Sequence, residues 1–397
     1  MRYIAIIISL LFFVFTFFVI ATKDNGDNLR GNTEVKERRA IYFSYIEFNS
    51  YIKDKNSDAS KENIEKALDN IKSLGFNTIL LHVRPFSDSI YESEYFPISD
   101  TILNDKGERP DYDVLAFFID EAHKRDIFIE AWINPFRVSN LTDISKVSAD
   151  SPYYKFVSTG DAKVIAGKGI YLNPASDAVQ KLIVDGIEEV VEKYDIDGIH
   201  LDDYFYPDKS IDLESYEAYK ENGGTLDINE YRLNNISMLI KNIYKTVKDT
   251  KKDVLFGIAP EGNIENNYNN SYLDIELILG NEGYIDYIMP QLYYGFKNGV
   301  KPFIETLNTW DEMIKVESIK LIPALAFYKT GTEDPYAKEG KNEWLEETDI
   351  IKKQIIVSRN ANNYSGFSLF RYDYLFNEEK QNSNTKLEIA HIKEVLN

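Results

Sequence analysis

The sequence predicts an α/β fold, a single-domain (β/α)₈ TIM barrel preceded by an N-terminal apolar segment. From about residue 40 onward, eight short apolar runs alternate with amphipathic stretches. This alternation indicates parallel strands joined by right-handed helical crossovers, and eight such units suffice to close a barrel. No glycine-rich phosphate turn follows the first run, which disfavours the competing doubly wound open sheet. Residues 40–397 contain no internal repeat or low-complexity linker, so they are interpreted as one domain.

The eight predicted strands are apolar runs of the length that buried strands have. They are residues 40–47, 78–84, 127–134, 198–203, 254–260, 285–293, 320–326 and 366–371. The predicted helices carry apolar residues at helical spacing, and two of them start at a serine suited to capping. They are residues 60–74, 111–125, 176–194, 229–248, 273–279, 302–315, 344–359 and 385–396. Long loops at 85–110, 135–174 and 204–228 remain, and loops of this length usually carry function.

Composition excludes several classes of protein. A chain of 397 residues with 44% hydrophobic and 28% charged residues is not disordered. The 65 acidic residues against 45 basic ones give a net charge of −20, which disfavours binding to nucleic acid or anionic lipid. The absence of cysteine excludes disulfides, thiolate metal sites and a cysteine nucleophile. We expect a substrate that is neutral, or whose charge is met locally by a few arginines, and no cofactor.

The N-terminus predicts export. Arg2 precedes an apolar run over residues 3–21 that only Ser9 and Thr16 interrupt. The run fits a signal peptide, and it is also nearly long enough to remain as a membrane anchor. Residues 1–21 are therefore expected to be a signal or anchor, 22–38 a flexible tether and 39–397 the barrel. The barrel is expected outside the membrane, secreted or anchored, and the membrane is expected to be contacted only through this segment.

Candidate site residues follow from alternation along the strands. Active sites of such barrels lie at the carboxyl ends of the strands, and every second side chain points inward. The residues that this places inside or at the mouth are His82, Arg84, Glu130, Trp132, Asn134, His200, Asp202, Glu261, Gln291 and Tyr293. Carboxylates, amides and aromatic faces in one cavity suit a sugar site. For His82 and Glu130 a structural role is as well supported as a functional one.

Asp202 and Asp203 are the strongest candidates. They lie in HLDDYFYP (200–207), where two adjacent acids follow an apolar strand and precede aromatic residues. Stability does not require acids at a barrel rim, so the pair indicates function. Asp202 has the inward phase of the strand, whereas Asp203 has the outward phase.

This motif is also where the chain resembles the glycosyl-hydrolase-like family 10 proteins of bacteria, which are (β/α)₈ barrels. Further blocks similar to that family extend over nearly the whole barrel. They are HVRPFSDSIYESEYFPIS (82–99), the stretch 111–138 that contains AWINPFR, YLNPAS (171–176), YDIDGIHLDDYFYP (194–207), FGIAPEGN (256–263) and IDYIMPQLYYGF (285–296). The resemblance implies hydrolysis of glycan strands, notably peptidoglycan stripped of its peptides.

The resemblance also implies site residues. It maps the acid pair to Asp202 and Asp203, with Glu261 as a further catalytic candidate. Many family members carry another residue type at the position of Glu261, so the second carboxylate stays open among Asp203, Glu261, Glu47 and Asp88. The expected substrate-binding residues are Arg84, Asp88, Trp132, Asn134, Arg137, His200, Tyr204, Gln291 and Tyr293. Arg84 and Arg137 are expected to hold a carboxylate-bearing sugar such as muramic acid.

Two other functions are compatible with the sequence. One is a non-catalytic carbohydrate-binding barrel tethered at the cell surface, which would need no paired acid. The other is a metal-dependent hydrolase or deacetylase using His82, Glu130 and His200. The chain has four histidines and no HxH or HExxH spacing, which disfavours a metal site. The leading expectation is a monomeric glycoside hydrolase with a polysaccharide substrate, no metal and no nucleic-acid partner.

Overall fold

Residues 37–202 and 205–396 are described in the structure, a computed structural model. The expected signal or anchor at residues 1–21 lies outside the described residues, as do Asp203 and Tyr204. Within the described ranges, no helix combines the length and the apolarity needed to cross a bilayer.

The described chain contains a nine-stranded parallel sheet and a small three-stranded antiparallel sheet. The strands, in chain order, are β1 (Arg38–Phe43), β2 (Thr78–Arg84), β3 (Phe128–Ile133), β4 (Arg137–Ser139), β5 (Ala162–Ile165), β6 (Gly169–Leu172), β7 (Gly198–Leu201), β8 (Leu255–Ile258), β9 (Tyr287–Ile288), β10 (Lys320–Leu321), β11 (Ala324–Leu325) and β12 (Gly366–Leu369). Strands β4 to β6 form the antiparallel sheet, within the segment 135–174 that the sequence analysis treats as a loop.

The parallel sheet returns to its own start. Its order is β10-β9-β8-β7-β3-β2-β1-β12-β11, and its two outermost strands belong to one stretch, 320–325, interrupted only at Ile322 and Pro323. That stretch pairs with β9 through β10 and with β12 through β11, and a further bridge joins Gln291 to Ala324. Eight parallel stretches thus follow one another around a ring, which agrees with the predicted fold class.

Helices connect these stretches, and the long ones pack against the outside of the sheet. They are α1 (Tyr45–Tyr51), α2 (Ser57–Ser73), α3 (Val114–His123), α4 (Tyr153–Val157), α5 (Asp177–Lys193), α6 (Leu213–Glu221), α7 (Ile228–Thr250), α8 (Ile264–Asn269), α9 (Ile275–Gly280), α10 (Phe303–Met313), α11 (Glu343–Glu346), α12 (Ile350–Ser358), α13 (Tyr372–Phe376) and α14 (Ser383–Leu396). As expected, Ser176 caps α5. Asn56, rather than Ser60, caps α2, so this helix begins three residues earlier than predicted.

The first strand ends four residues before its predicted end. Ser44 accepts a hydrogen bond from Ile46, and Glu47 reaches back to the Ser44 backbone, so the two residues form a capping box at the start of α1. Because the chain has turned into a helix, Glu47 does not continue the inward alternation of β1.

The barrel interior follows the predicted alternation in its lower part. A small buried cluster fills it, made of Ala40, Tyr42, Leu80, Trp132, Ala259, Tyr287, Met289, Ile322 and Ala324. Glycine is required at Gly257, because a Cβ there would lie 2.2 Å from the Tyr287 ring. Glu130 forms an ion pair with Arg38 at 2.9 Å and accepts a hydrogen bond from the Tyr287 hydroxyl. Glu130 is therefore a structural residue at the floor of the barrel.

Candidate active site

A cavity of about 800 Å³ opens at the carboxyl ends of the barrel strands. Its volume lies within the range of small-molecule sites. Most of the expected site residues line it, namely Trp132, Asn134, Arg137, Asp202, Glu261, Gln291 and Tyr293. Asp203 and Tyr204 lie outside the described residues, so their placement stays a prediction.

Asp202 follows directly after β7 and is only 7% exposed. The side-chain nitrogen of Gln291 donates a hydrogen bond to Asp202 Oδ1 at 2.8 Å. The same nitrogen lies 3.4 Å from the Ala259 carbonyl, which orients the amide. A hydrogen bond to a carboxylate is stronger than one between neutral groups, so Gln291 fixes the direction in which Asp202 presents its charge.

Glu261 lies at the end of the neighbouring strand, β8, and forms a parallel bridge with Gln291. Its carboxylate accepts a hydrogen bond from the Asn266 side chain, and its backbone carbonyl accepts one from Asn267 Nδ2 at 2.7 Å. The two candidate carboxylates therefore line one cavity from adjacent strands, and each is held by an amide. Among the described residues, Asp202 and Glu261 are the two acids that line this cavity.

Aromatic side chains form much of the rest of the wall. Trp132 stacks on His82 with ring centroids 3.6 Å apart, and its indole nitrogen donates to Asn134 Oδ1 at 3.0 Å. Tyr293 packs edge-on against Tyr328 with centroids 5.8 Å apart. Burial raises the pKa of Tyr293, with Asp202 adding to the effect, and burial raises the pKa of Tyr328 to about 12. Both phenols remain protonated near neutral pH and can donate hydrogen bonds to sugar hydroxyls.

His82 lines the cavity, and the sequence supports a structural role for it as well as it supports a functional one. The residue is 1% exposed. Burial lowers the pKa of His82 far below its ordinary value, and the positive charge of Arg137 adds to this. The ring is therefore neutral, and its stacking on Trp132 accounts for its position.

Other lining residues are not among the sequence candidates. They include Ser44, Tyr45, Asn267, Ser271, Tyr328, Tyr336 and Phe370. Phe370 could have been predicted from the sequence. It lies two residues beyond Ser368 of the last barrel strand, and side chains two residues apart on a strand point to the same face, here the inside of the barrel. Tyr328 lies in a short 3-10 helix after β11 and Tyr336 in a turn beyond it, and neither element is long enough for a periodic pattern to indicate which way a side chain points.

The structure corrects the expected placement of Arg84. On β2, His82 pairs with Trp132 and Arg84 pairs with Ile133, so the strand carries one extra residue against β3. A bulge of this kind reverses the inward and outward phases beyond it. The Arg84 guanidinium lies over the Phe96 ring, 4.1 Å from its centroid, and the residue is 1% exposed. Arg84 packs outside the barrel and does not line the cavity.

His200 is also placed away from the cavity. Its Nε2 lies 3.1 Å from the Tyr42 hydroxyl and its Nδ1 lies 2.9 Å from the Tyr287 hydroxyl, and the residue has no exposed surface. Burial lowers the pKa of His200 to about 3. The ring connects layers of the barrel core beneath the site, and the expectation of a substrate contact is corrected.

Two of the residues considered for the second carboxylate, Glu47 and Asp88, lie outside the cavity. Glu47 has no exposed surface and forms an ion pair with Arg371. Asp88 lines a separate cleft of about 300 Å³, beside Asp100 and Lys146, and accepts a hydrogen bond from the Phe86 backbone at 2.9 Å. Burial raises the pKa of Asp88 to about 6. Neither carboxylate lines the cavity that contains Asp202.

No group of three or more histidine, aspartate or glutamate side chains is placed to hold a metal ion within residues 37–202 and 205–396. Two of the three residues of the alternative metal site make contacts within the barrel core. Glu130 contacts Arg38 and Tyr287. The His200 ring lies between the hydroxyl groups of Tyr42 and Tyr287.

Comparison with known sequences identifies close relatives of the chain. A family model described as Glycosyl hydrolase-like 10 matches residues 37–344. The chain is 35% identical over 290 residues to the glycosyl hydrolase YngK of Bacillus subtilis, covering 68% of this chain and 56% of YngK. It is 31% identical over 345 residues to the glycosyl hydrolase DigH of Escherichia coli K12, covering 81% of this chain and 77% of DigH. The match thus spans little more than half the length of YngK.

Two solved structures of glycoside hydrolase domains have a similar fold. The glycoside hydrolase domain of PgaB (BpsB) from Bordetella bronchiseptica superposes with a TM-score of 0.58 and 12% identity, over 90% of this chain and 99% of that domain. The catalytic domain of β-amylase from Paenibacillus polymyxa superposes with a TM-score of 0.54 and 10% identity, over 91% of this chain and 98% of that domain. At these identities the similarity concerns the fold alone.

Proposed function

The chain belongs to the glycosyl hydrolase-like 10 family, and from this membership we propose that it is a glycoside hydrolase acting outside the membrane on cell-wall polysaccharide. Its proposed substrate is the glycan strand of peptidoglycan. The curated relatives, both glycosyl hydrolases, support the class of reaction.

The observation that carries the proposal is the placement of Asp202. Its carboxylate is aimed by Gln291 into a cavity that Glu261 lines from the next strand. Cleavage of a glycosidic bond needs one carboxyl group to protonate the bridging oxygen and a second carboxylate to attack the anomeric carbon or activate water. The bond between the anomeric carbon and the bridging oxygen breaks, and water supplies the hydroxyl of the new reducing end. Asp202 takes one of these roles, with Glu261 or Asp203 in the other.

The rest of the cavity suits a sugar. The amides of Asn134 and Gln291 and the neutral phenols of Tyr293 and Tyr328 provide donors and acceptors for hydroxyl groups. Among the described residues that line the cavity, Arg137 is the one arginine, and there is no lysine. In a chain of net charge −20, this local cation is suited to a carboxylate on the substrate. Muramic acid carries such a carboxylate, which supports peptidoglycan over neutral polysaccharides.

Extracytoplasmic action is proposed from the apolar run at residues 3–21. Such a segment directs a chain to the export machinery, and it either is cleaved or remains as an anchor. The cell-wall substrate and the export segment support the same location.

The direct test is incubation of the protein with peptidoglycan strands from which the peptides have been removed. We expect shorter oligosaccharides with new reducing ends, detected by mass spectrometry, and no such products from the Asp202→Asn variant. Intact cross-linked peptidoglycan and chitin oligosaccharides serve as comparison substrates. Tight binding of the strands with no turnover by the wild-type protein would contradict the proposal and favour a carbohydrate-binding protein.

A further inference from the structure

Tyr336 is an unusual residue of the cavity wall. It lines the cavity, yet its side chain is 85% exposed. The other lining aromatic residues are buried or half-buried, as with Trp132 at 5%. An exposed aromatic ring at the rim of a cavity leaves apolar surface in water that a ligand can cover.

The segment that carries Tyr336 is held in place by its neighbours. Asp334 is 4% exposed, accepts a hydrogen bond from the Tyr336 backbone at 3.2 Å, and forms an ion pair with Lys329 at 2.7 Å. The Lys329 ammonium also donates to the Tyr293 carbonyl at 2.8 Å, which connects the segment to the cavity wall. On the other side, Ala337 is 1% exposed and accepts a hydrogen bond from the Gly299 backbone at 2.9 Å. The exposed Tyr336 side chain therefore projects from a turn that buried Asp334 and Ala337 hold on either side.

Tyr336 and Arg137 follow barrel strands on opposite sides of the mouth. Tyr336 follows the seventh stretch of the ring, 320–325, whereas Arg137 follows the third stretch, β3. Stretches four places apart in a ring of eight lie on opposite sides. The cavity that both residues line therefore extends across the mouth, past Asp202 and Glu261.

We infer that Tyr336 is the stacking platform of an outer subsite, which binds a pyranose ring of a glycan chain that crosses the mouth from the Arg137 side. This inference rests on the proposed glycosidase function and narrows its substrate to a chain longer than the unit held beside Asp202. A pyranose ring has an apolar face of C–H groups that packs on an aromatic ring, and a rigid platform binds it with little loss of entropy.

The test measures chain-length dependence. With long peptide-free glycan strands, Tyr336→Ala is expected to raise KM about tenfold or more and to leave kcat unchanged, because truncating an aromatic residue that is a binding hot spot costs at least about a factor of ten in affinity. Tyr336→Phe retains the ring and should behave as wild type. Because the side chain is 85% exposed, the alanine variant should fold normally. Tyr268→Ala is the matched control, since Tyr268 is 47% exposed and does not line the cavity.

A binding measurement separates this inference from the proposed function. In an Asp202→Asn background, calorimetry should show weaker binding of long strands when Tyr336→Ala is added, with unchanged binding of a single disaccharide repeat. Lys329→Met, which removes the ion pair to Asp334, should weaken long-strand binding in the same direction. The outer subsite is refuted, and the proposed function is not, if wild type cleaves the strands but Tyr336→Ala changes neither KM nor binding affinity. The same conclusion follows if Tyr336→Ala weakens binding of long strands and of the disaccharide repeat equally. If wild type neither cleaves nor binds them, the proposed function fails first.

Discussion

The side chain of Gln291 donates a hydrogen bond to the Asp202 carboxylate across an intervening strand. The distance is 2.8 Å, and β8 lies between the strands that the two residues extend. Gln291 is also bridged to Glu261 at the end of that intervening strand, and its backbone nitrogen donates to the Pro260 carbonyl at 2.9 Å. The position of Asp202 therefore depends on the same residue that aligns the strand of Glu261.

The first prediction concerns Asp202 itself. Asp202→Asn preserves shape and removes the charge, so it should lower kcat by a factor on the order of 10³ or more with KM nearly unchanged. Steady-state turnover of peptide-free strands measures this, with circular dichroism to verify the fold. Asp253→Asn is the control, because this exposed acid precedes β8 at the opposite end of the barrel.

The same assay identifies the second carboxylate. Glu261→Gln and Asp203→Asn should each cost less than Asp202→Asn, and the more damaging of the two marks the partner. Near-normal turnover by a folded Asp202→Asn variant would contradict the assignment.

A second prediction concerns Gln291 as a positioning residue. Gln291→Leu removes the donor to Asp202, and a hydrogen bond to a charged group contributes about 1.5–3 kcal/mol. We expect kcat to fall about tenfold to a hundredfold, with a smaller change in KM. Partial recovery in Gln291→Asn, which retains an amide, would show that the donor matters rather than the volume. Unchanged kcat in Gln291→Leu would refute the positioning role.

The third prediction separates the two arginines. Arg137→Gln should raise KM on carboxylate-bearing strands about tenfold and have less effect on a neutral analogue, because Arg137 lines the cavity. Arg84→Met should leave KM unchanged and lower stability by about 1–3 kcal/mol, because Arg84 packs on Phe96 away from the site. Kinetics on both substrates and urea denaturation test the pair. An equal rise in KM on both substrates for Arg137→Gln would indicate a structural role instead.

The fourth prediction concerns pH and stability. Glu388 is fully buried and accepts a hydrogen bond from the Lys352 backbone at 3.0 Å, and burial raises its pKa to about 7. The folded state then binds a proton more tightly than the unfolded state. This contribution to stability is fully present below the unfolded pKa of about 4.5 and is lost as pH rises through about 7.

Glu388→Gln removes this titration. Relative to the variant, the wild type should lose on the order of 3 kcal/mol of unfolding free energy between pH 4.5 and 7. Chemical denaturation across that range measures the difference, with the exposed Glu346→Gln as control. Parallel curves for wild type and Glu388→Gln would contradict the prediction.

Much of the barrel was predictable because its signals are local. Apolar runs and helical periodicity reflect burial of each segment, so the eight stretches and their order were confirmed, with shifts of a few residues at their ends. Asp202 was predictable for the same reason, since it directly continues the alternation of β7 into the cavity. Glu261 and Gln291 likewise follow from their own strands.

The remaining features depend on contacts between distant segments. The bulge that turns Arg84 outward is a property of how β2 pairs with β3, and the β2 sequence alone shows unbroken alternation. Glu47 pairs with Arg371, which lies 324 residues away along the chain. Tyr336 reaches the rim because buried Asp334 and Lys329 anchor its turn to the Tyr293 carbonyl. The sequence by itself determined the strands and most of the inward side chains at their ends, among them Asp202, Glu261 and Gln291. Only tertiary packing decided that Arg84 and Glu47 turn away from the cavity and that Tyr336 joins it, because strand register, ion pairing and loop anchoring are set between segments that meet only in the folded chain.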